Sequence, residues 1–310
     1  MSRFGLTAEA FTALGDYAEA GLEATVLALT RAARSAAQGR IPIAGAAVLR
    51  QADGTLEAIT VGNNGRIPAP GETTGYPTDH GETAAVRCID DVSAVDWSRA
   101  VFATTLSPCI MCGRTLTALW RRGLRRVVIA ESQSFAGTRA QLEVLDGMTV
   151  VALTCSDAVA MMQTFAQRHP WDWAADIGEI PPGDLRLASA LPAGGASMLA
   201  SVEEREHAAG VFGPDGGLLA SAPDGRTESG NPTHSATMVA MGRAGSAVNL
   251  RECILVLAGT ASLDRAGFGE ASLGACELFR PAAILTRAPL SAALAGPLQA
   301  AGIRLVSLLS

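Results

Sequence analysis

Two short motifs constrain the fold of this chain more than any other feature, because their side chains suit a single metal site. The first is His80-Gly81-Glu82, and the second is Pro108-Cys109-Ile110-Met111-Cys112. In the first turn of a helix, Cys109 and Cys112 lie three residues apart and face the same side. A fold that brings His80 to this turn creates a site with three protein ligands.

Three protein ligands leave the fourth tetrahedral position of zinc for water, which is typical of a catalytic rather than a structural site. Both ligand groups are predicted at helix N-termini, where the positive end of the helix dipole favours the Cys109 and Cys112 thiolates. Zinc lowers the pKa of its bound water far below the value in bulk water, towards about 7. Glu82 is expected to face this water without binding the metal, and to carry protons to a ring nitrogen and a departing amine.

The two motifs are informative only in combination. A lone C-x-x-C is equally compatible with a redox pair or with two core cysteines, and a lone H-G-E carries almost no information. Together, in this order, they form the signature of zinc deaminases. We therefore expect Zn²⁺ as the cofactor, with His80, Cys109 and Cys112 as its ligands and Glu82 as the catalytic residue.

The residue pattern around the motifs alternates between strands and helices, which predicts an α/β fold with a sheet covered by helices. The run 63–79 is dense in glycine and proline and is predicted to be a loop. The predicted helices are 7–20, 21–37, 80–89, one that starts at Pro108, and 155–168. The predicted strands are 41–50, 55–62, 100–106, 127–130 and 149–153.

Length and composition favour two domains and a small-molecule substrate. The chain has 310 residues, 48% of them hydrophobic, which is enough for two cores. A net charge of −6 and an aromatic content of 5% argue against a nucleic-acid surface. No apolar run reaches membrane-spanning length and no signal pattern opens the chain, so we expect a cytoplasmic protein without a membrane partner.

The second half of the chain is expected to be a degenerate copy of the first. Segment 230–237 resembles segment 75–83, with His234 aligned to His80 and Ala236 replacing the glutamate, and no Pro-Cys-x-x-Cys follows. We predict a catalytic domain at 1–181, a linker at 182–194 and a domain without a zinc site at 195–310. The two copies would form an intramolecular pseudo-dimer, and the sequence leaves open whether whole chains also form a homodimer.

Residues 21–179 resemble the fungal-type cytosine deaminases of the cytidine deaminase-like superfamily. The resemblance covers both motifs and their flanks, and it ends in a segment similar to the C-terminal cap of that family. The matching segments are Ile41-Pro42-Ile43, Gly62-Asn63-Asn64, Asp79-His80-Gly81-Glu82, Thr104-Thr105-Leu106-Ser107-Pro108-Cys109 and Asp172-Trp173-Ala174-Ala175-Asp176-Ile177-Gly178-Glu179. The resemblance implies a cytidine deaminase-like fold with three α-β-α layers, and the internal repeat predicts that this fold occurs twice, as a tandem duplication.

The resemblance also implies a set of substrate contacts. Asn64 would bind the polar edge of the ring, the Gly81 backbone N–H would meet a ring carbonyl, and Asp176 would bind the amino side. The apolar walls and lid would be formed by Ile43, Leu106, Phe135 and Trp173. Ala174 stands where the family carries an aromatic residue, and the loop 67–78 is longer than the family's. The resemblance therefore leaves open which ring is the substrate.

The leading interpretation is hydrolytic deamination of a free amino-heterocycle, either cytosine or a related pyrimidine, triazine or purine. One alternative is a nucleoside or tRNA deaminase, which the acidic charge and the lid disfavour. A second is a non-catalytic binding module stabilised by zinc, which would not need Glu82. A third is a reductase fusion, disfavoured because the second half lacks a Gly-rich nucleotide-binding loop after a strand.

Overall fold

Two five-stranded sheets, one in each half of the chain, organise the structure. It is a computed structural model that describes residues 4–178, 194–204, 208–258 and 269–308. The first sheet contains β1 (Ala44–Arg50), β2 (Leu56–Asn63), β3 (Ala100–Thr104), β4 (Arg126–Ile129) and β5 (Thr149–Ala152). The second contains β6 (Ala209–Phe212), β7 (Leu218–Ala222), β8 (Ile254–Leu257), β9 (Ala283–Thr286) and β10 (Arg304–Ser307).

Eleven α-helices in the described residues cover these sheets. In the first half they are α1 (Ala18–Ala37), α2 (Gly81–Arg87), α3 (Ile110–Trp120), α4 (Arg139–Glu143), α5 (Ser156–Arg168) and α6 (Pro170–Asp176). In the second half they are α7 (Gly195–Glu203), α8 (Arg226–Ser229), α9 (Ala236–Ala244), α10 (Glu270–Phe279) and α11 (Ala292–Ala300). None of the helices in these ranges is long and apolar enough to cross a bilayer.

The first sheet separates two helical layers. Its strand order is β2-β1-β3-β4-β5, with β1 antiparallel to both neighbours and β3, β4 and β5 parallel. Successive side chains of a strand point to opposite faces. Accordingly, Phe102 packs on the face of α2 and α3, whereas Val101 and Ala103 pack with Ala24 of α1 on the other face. The predicted three-layer α/β architecture is therefore present.

The second sheet repeats the topology of the first. Its order is β7-β6-β8-β9-β10, with β6 antiparallel to β7 and β8 and the last three strands parallel. Even the β-bulge of β1, between Ala47 and Val48, has a counterpart in β6 between Val211 and Phe212. This shared irregularity supports an internal duplication. The predicted linker at 182–194 falls almost entirely outside the described residues, and the domain boundaries stay a prediction.

The two halves pack through α3 and α10, which cross at close range. A Cβ on Gly274 of α10 would lie 2.7 Å from Met111 Cα of α3, so only glycine permits this approach. At the rim of the contact, Arg114 of α3 forms ion pairs with Glu270 and Glu277 of α10. Cys109, Met111 and Cys112 thus belong to the same apolar core as the second sheet.

Three predicted elements differ from the structure. The helix predicted at 7–20 is a 3-10 segment, Ala8–Tyr17, which Phe11 and Gly15 (φ 57°) interrupt with non-helical backbone angles. The strand predicted from Ile41 begins at Ala44. The helix predicted from Pro108 begins at Ile110, with Cys109 as its N-cap, since the residue before the N-cap lies outside the helix.

Candidate metal centre and active site

The three predicted metal ligands meet where two helices begin. His80 is the N-cap of α2, Cys109 is the N-cap of α3, and Cys112 lies in the first turn of α3. The ligand atoms of the three residues all lie within 4.8 Å of one another, and His80 Nδ1 is 3.3 Å from Cys109 Sγ. All three side chains are buried. This is the only cluster of metal-ligating side chains within the described ranges.

The donor set fits zinc in identity and spacing. Tetrahedral zinc with its usual bond lengths places a nitrogen and a sulfur ligand about 3.6 Å apart. Burial alone would raise the pKa of the Cys109 thiol, but a hydrogen bond from Cys112 and the charge of His80 hold it well below its usual range. A buried thiolate beside a second cysteine and a histidine is the environment that a divalent soft cation stabilises.

The ring nitrogen of His80 that faces away from the cysteines contacts an acid. Its Nε2 lies 3.3 Å from Asp176 Oδ1, although the two atoms are not aligned as a hydrogen bond. Burial would lower the pKa of His80, but Asp176 and Cys109 outweigh it and raise the pKa to about 9. The site therefore concentrates negative charge around His80, and a carboxylate at the second nitrogen is typical of histidines that bind metals.

Glu82 lies beside the metal ligands, and the protein shields it from solvent. Its side chain is 2% exposed, and Oε1 accepts a hydrogen bond of 2.7 Å from the Thr104 hydroxyl. Burial raises the pKa of Glu82, the Cys109 charge adds to this effect, and the Thr104 hydrogen bond opposes it. A carboxyl group with a raised pKa is suited to exchange protons near neutral pH.

The helix that carries Glu82 approaches β1 closely through two glycines. A Cβ on Gly81 would lie 2.7 Å from Ala44 Cα, and one on Gly45 would lie 3.0 Å from Glu82 Cα. Glycine at both positions lets α2 begin directly against the strand. The pair therefore sets the depth at which Glu82 enters the site.

A small cavity of about 10 Å³ lies against the metal ligands and Glu82. This volume is close to the space that one water molecule requires. The residues that line it are Ile43, His80, Glu82, Leu106, Ser107, Cys109, Cys112, Phe135, Asp176 and Ile177. The last two belong to the segment 170–178, here called the lid, which consists of α6 and the two residues after it. A ring enters this cavity only if the lid moves.

The structure brings most of the predicted substrate residues to this cavity. Its walls include Ile43, Leu106, Phe135 and Asp176. Trp173 of the lid packs edge-on against Phe135, with 5.9 Å between the ring centroids. All of these positions agree with the sequence-based assignments, whose roles stay predictions.

Asn64 is not one of the residues that line the cavity. It is fully buried, and its amide nitrogen donates to both carboxylate oxygens of Asp176, at 2.9 and 3.0 Å. Its Oδ1 accepts the backbone N–H of Arg66. Instead of facing the cavity as expected, Asn64 holds the carboxylate of the lid. A direct contact with a ring edge would require this pair to separate.

Sequence reasoning missed three residues of the site. Ser107 and Ile177 line the cavity, and Thr104 binds Glu82. Ser107 and Thr104 stand in the segment that precedes Cys109, and Ile177 directly follows Asp176. Each of the three stands close in sequence to a predicted site residue, which was the available signal. Closeness in sequence does not reveal which side chains point into the cavity.

The second half corrects the predicted equivalence of His234 and His80. Ser235, not His234, is the N-cap of α9, as His80 is of α2. His234 lies one residue earlier, with Nδ1 2.9 Å from the Ser229 hydroxyl and Nε2 3.3 Å from the Arg87 carbonyl oxygen. Aligning the two histidines gives the wrong equivalence. Aligning Pro232-Thr233 with Pro77-Thr78 instead matches Ser235 to His80.

The remaining positions of the second half follow from this register. Counted from the helix N-caps, the equivalents of Glu82, Cys109 and Cys112 are Thr237, Gly269 and Ser272. Ser272 donates a hydrogen bond of 2.7 Å to the Ser235 hydroxyl, and both residues are fully buried. Hydroxyl groups thus replace an imidazole and a thiolate, and a pair of hydroxyls is a poor ligand set for zinc.

The second half also contacts the helix that carries His80 and Glu82. The Asn231 amide nitrogen donates to the carbonyl oxygens of Val86, at 2.7 Å, and Ile89, at 3.1 Å. These carbonyls lie at the C-terminal end of α2, where helical partners are lacking. Asn231 is fully buried, so it fixes this end of α2 from the other half.

Comparison with known families assigns the metal region. Residues 20–131, about a third of the chain, match the family model of the cytidine and deoxycytidylate deaminase zinc-binding region. The matched range contains His80, Glu82, Cys109 and Cys112. For residues 20–131, the match supports the predicted superfamily and confirms zinc as the cofactor, whereas the narrower resemblance to fungal-type cytosine deaminases stays a prediction.

Three solved structures are similar to this chain at low sequence identity. A structure from a study of A-to-I editing by tRNA:A34 deaminases is 20% identical, with 45% of this chain and 99% of that chain covered and a TM-score of 0.33. A mutant protein in complex with 8-azaguanine is 20% identical, with coverages of 54% and 98% and a TM-score of 0.36. A diaminohydroxyphosphoribosylaminopyrimidine deaminase/5-amino-6-(5-phosphoribosylamino)uracil reductase from Thermotoga maritima is 18% identical, with coverages of 51% and 41% and a TM-score of 0.31.

Proposed function

We propose that the zinc-binding region at residues 20–131 is the catalytic centre of a hydrolytic deaminase that acts on a free amino-substituted nitrogen heterocycle. The observation that carries this proposal is the position of Glu82. Its buried carboxyl group lies beside His80, Cys109 and Cys112 on the wall of one cavity. A zinc site that only stabilises a fold uses four protein ligands and needs no buried acid.

His80, Cys109 and Cys112 would hold the zinc ion, which when bound supplies Lewis-acid activation of water at neutral pH. Glu82 accepts the proton of the attacking water and donates it to the ring nitrogen next to the amino-bearing carbon. It then takes the proton of the hydroxyl group now on that carbon and delivers it to the amino group as the carbon–nitrogen bond breaks. The net reaction replaces the amino group by a carbonyl oxygen and releases ammonia, and it consumes one water molecule.

Thr104 and the neighbouring backbone orient Glu82 for this work. The Thr104 hydroxyl lies 2.7 Å from Oε1 of Glu82 and 2.9 Å from the Leu106 carbonyl oxygen. It donates its one proton to either of these two acceptors. The glutamate is therefore held against β3 through Oε1, next to the metal ligands. Positioning of this kind supports general acid–base catalysis, which depends on hydrogen-bond reach to the reacting atoms.

The lid supports a free ring as the substrate. Asp176 and Ile177 close the cavity, and Trp173 covers Phe135 at its edge. When the lid is closed, a ribose attached to the ring would need the space that these side chains occupy. Asp176 is placed to accept hydrogen bonds from the amino side of the ring, next to the metal ligands. The ring itself is one of the cytosine, triazine or purine class.

We further propose that the second half acts as a non-catalytic pseudo-subunit. It lacks a ligand cluster in the described residues, and it supplies Asn231 and α10 as supports for the helices that carry the site. No nucleic-acid partner is proposed, because the chain carries a net charge of −6.

A substrate panel tests the proposed function. Zinc-loaded protein is incubated with free amino-pyrimidines, amino-triazines and amino-purines, with the matching nucleosides, and with tRNA, and ammonia release is measured. We expect turnover of one or more free bases and little or no turnover of nucleosides or tRNA. Faster turnover of a nucleoside than of its base would overturn the role of the lid. No ammonia from any compound, with zinc bound, would overturn the deaminase itself.

A further inference from the structure

A second cavity, of about 280 Å³, separates the lid from the second half of the chain. Ala175 and Gly178 of the lid form one wall, and the segment 246–251 forms another. Two arginines border the cavity, Arg66 from the first half and Arg251 from the second. It is large enough for a small ligand, and the lid residue Asp176 lies between it and the metal ligands.

Neither arginine is matched by an acidic side chain. Within the described ranges, Arg66 and Arg251 have no carboxylate within ion-pair distance, and no Asp or Glu lines the cavity. Arg66 Nη1 is buried without a hydrogen-bond partner. Arg251 donates one N–H to the carbonyl oxygen of Gly178 in the lid. The other guanidinium donors of Arg251 have no hydrogen-bond partner among the described residues.

Partly buried arginines of this chain bind either carboxylates or carbonyl oxygens. Arg114 pairs with Glu270 and Glu277, and Arg40 donates to the carbonyl oxygens of Ile67 and Asn64. Nη1 of Arg66 has neither kind of partner in the described residues. The net charge of −6 means that carboxylates are in excess over the chain as a whole. Burial of a cation without a counter-charge costs free energy unless another group satisfies it.

We propose that this cavity binds a phosphate dianion, either as inorganic phosphate or as the phosphate group of a small molecule. Two guanidinium groups provide the charge and the forked N–H donors that match phosphate oxygens. Arg251 already contacts the lid through Gly178, and Arg66 follows Asn64, which holds Asp176. Bound phosphate would therefore connect the lid to the second half and stabilise its closed position. This binding goes beyond the deaminase reaction and does not depend on it.

Calorimetric titration of the zinc-loaded, full-length protein with inorganic phosphate tests the proposal. Added chloride salt keeps the ionic strength constant during the titration, because a change in salt concentration alone would alter the affinity for anions through charge screening. We expect saturable binding at one site per chain. Arg251→Gln is expected to weaken it at least tenfold, as for the loss of a charge-assisted hydrogen bond, and Arg251→Lys is expected to weaken it less. Arg66→Gln tests the opposite side of the cavity independently.

Arg304→Gln is the matched control, because it removes one exposed positive charge on β10, outside the cavity. Its phosphate affinity should equal that of the wild type. An equal loss in Arg304→Gln and Arg251→Gln would overturn the proposal, and so would wild-type binding that is unaffected by both Arg251→Gln and Arg66→Gln. The second result would place phosphate elsewhere, for instance at the zinc ion.

The source of the phosphate is resolved by two further titrations. A nucleoside monophosphate and its unphosphorylated nucleoside are compared with inorganic phosphate in the same buffer. Tighter binding of the monophosphate than of phosphate, again reduced by Arg251→Gln, identifies a phosphorylated small molecule as the ligand. Equal binding identifies the free anion. Because the readout is heat of binding, failure of the proposed deamination would leave these results unaffected.

Discussion

Asn64 and Asp176 form a buried pair that connects the loop after β2 to the lid across 112 positions of sequence. The Asn64 amide nitrogen lies 2.9 Å from one carboxylate oxygen of Asp176 and 3.0 Å from the other. The same carboxylate lies 3.3 Å from Nε2 of His80. A single amide group thus sets the position of the only lid carboxylate that faces the metal ligands.

Asn64→Ala is expected to lower kcat/KM about tenfold or more while zinc stays bound. Without the amide, Asp176 loses the hydrogen bonds from Asn64 and is no longer held 3.3 Å from Nε2 of His80. A lost hydrogen bond to a charged group costs about 1.5–3 kcal/mol. Steady-state kinetics on the best substrate of the panel, together with metal analysis, measures the effect.

A double-mutant cycle is the control for this pair. If Asn64 acts through Asp176, Asn64→Ala should add little once Asp176→Ala is present, because coupled residues are not additive. Fully additive losses in kcat/KM would indicate that Asn64 contacts the substrate by itself. That result would restore the role implied by the family resemblance.

Glu82→Gln is expected to reduce kcat by about 10²–10⁴-fold or more, the range of general acid–base catalysis. The amide keeps the shape and the Thr104 contact but does not carry a proton between water and ring. Zinc content and thermal stability should stay near those of the wild type, because Glu82 is not a ligand. Measurement of kcat on metal-loaded protein checks the first expectation, and metal analysis checks the second.

Glu131→Gln is the matched control for this glutamate. Glu131 is also fully buried in the first half, but its Oε2 accepts backbone N–H groups of Gln133 and Ser134. Its substitution should lower stability and leave kcat within a few-fold of the wild type. Activity retained in Glu82→Gln, or lost equally in both variants, would contradict the assignment of the proton carrier.

Purified protein is expected to hold one zinc ion per chain, and removal of that ion should destabilise it. The ligands are buried in a core shared by both halves, so metal binding contributes to folding. Cys109→Ala should lose zinc and lower the melting temperature, whereas Cys155→Ala, at a buried cysteine outside the ligand cluster, should keep the metal. Elemental analysis and thermal denaturation, with and without chelator, measure both effects.

The zinc stoichiometry separates two hypotheses. Two ions per chain would mean that the second half binds metal despite Ser235 and Ser272 at the ligand positions. No ion in carefully prepared protein, with intact fold, would contradict the zinc site itself. The molar ratio of zinc to protein chain, measured by elemental analysis, distinguishes these outcomes.

The metal centre was predictable from the sequence because its two motifs together form the signature of zinc deaminases. Cys109 and Cys112 lie in one helical turn, and strand and loop signals placed His80 at the start of another helix. Alternating strands and helices likewise predicted the layered α/β fold, which the structure confirms. Periodicity and capping express short-range physics, and a single sequence is enough to read them.

Contacts between distant segments were not predictable. Nothing near Asn231 in sequence indicates that it caps a helix of the other half, and nothing near Asn64 indicates a bond to the lid. The predicted alignment of the second copy was also wrong at His234. It matched the shared histidine to His80, although the equivalent helix begins one residue later. Such features depend on packing of elements that are far apart in the chain.

Gly274 provides the sharpest test of the contact between the halves. A Cβ at this position would lie 2.7 Å from Met111 Cα and 3.1 Å from the carbonyl oxygen of Ile110, both in the helix that carries Cys112. These are backbone atoms, so the contact is relieved only if α3 and α10 move apart. Any such movement displaces a zinc-ligating helix.

Gly274→Ala is therefore expected to lower the free energy of unfolding by about 1–3 kcal/mol, the usual cost of overpacking, and to weaken zinc binding. In an exposed helix the same change stabilises by about 0.5–1 kcal/mol, so the sign of the effect is diagnostic. Gly195→Ala, at the start of α7 with no neighbour closer than 3.5 Å, should be neutral or stabilising. Urea denaturation and chelator competition measure both variants. If Gly274→Ala is as stable as Gly195→Ala and holds zinc equally well, the two halves do not depend on this crossing, and the second half does not support the site through α10.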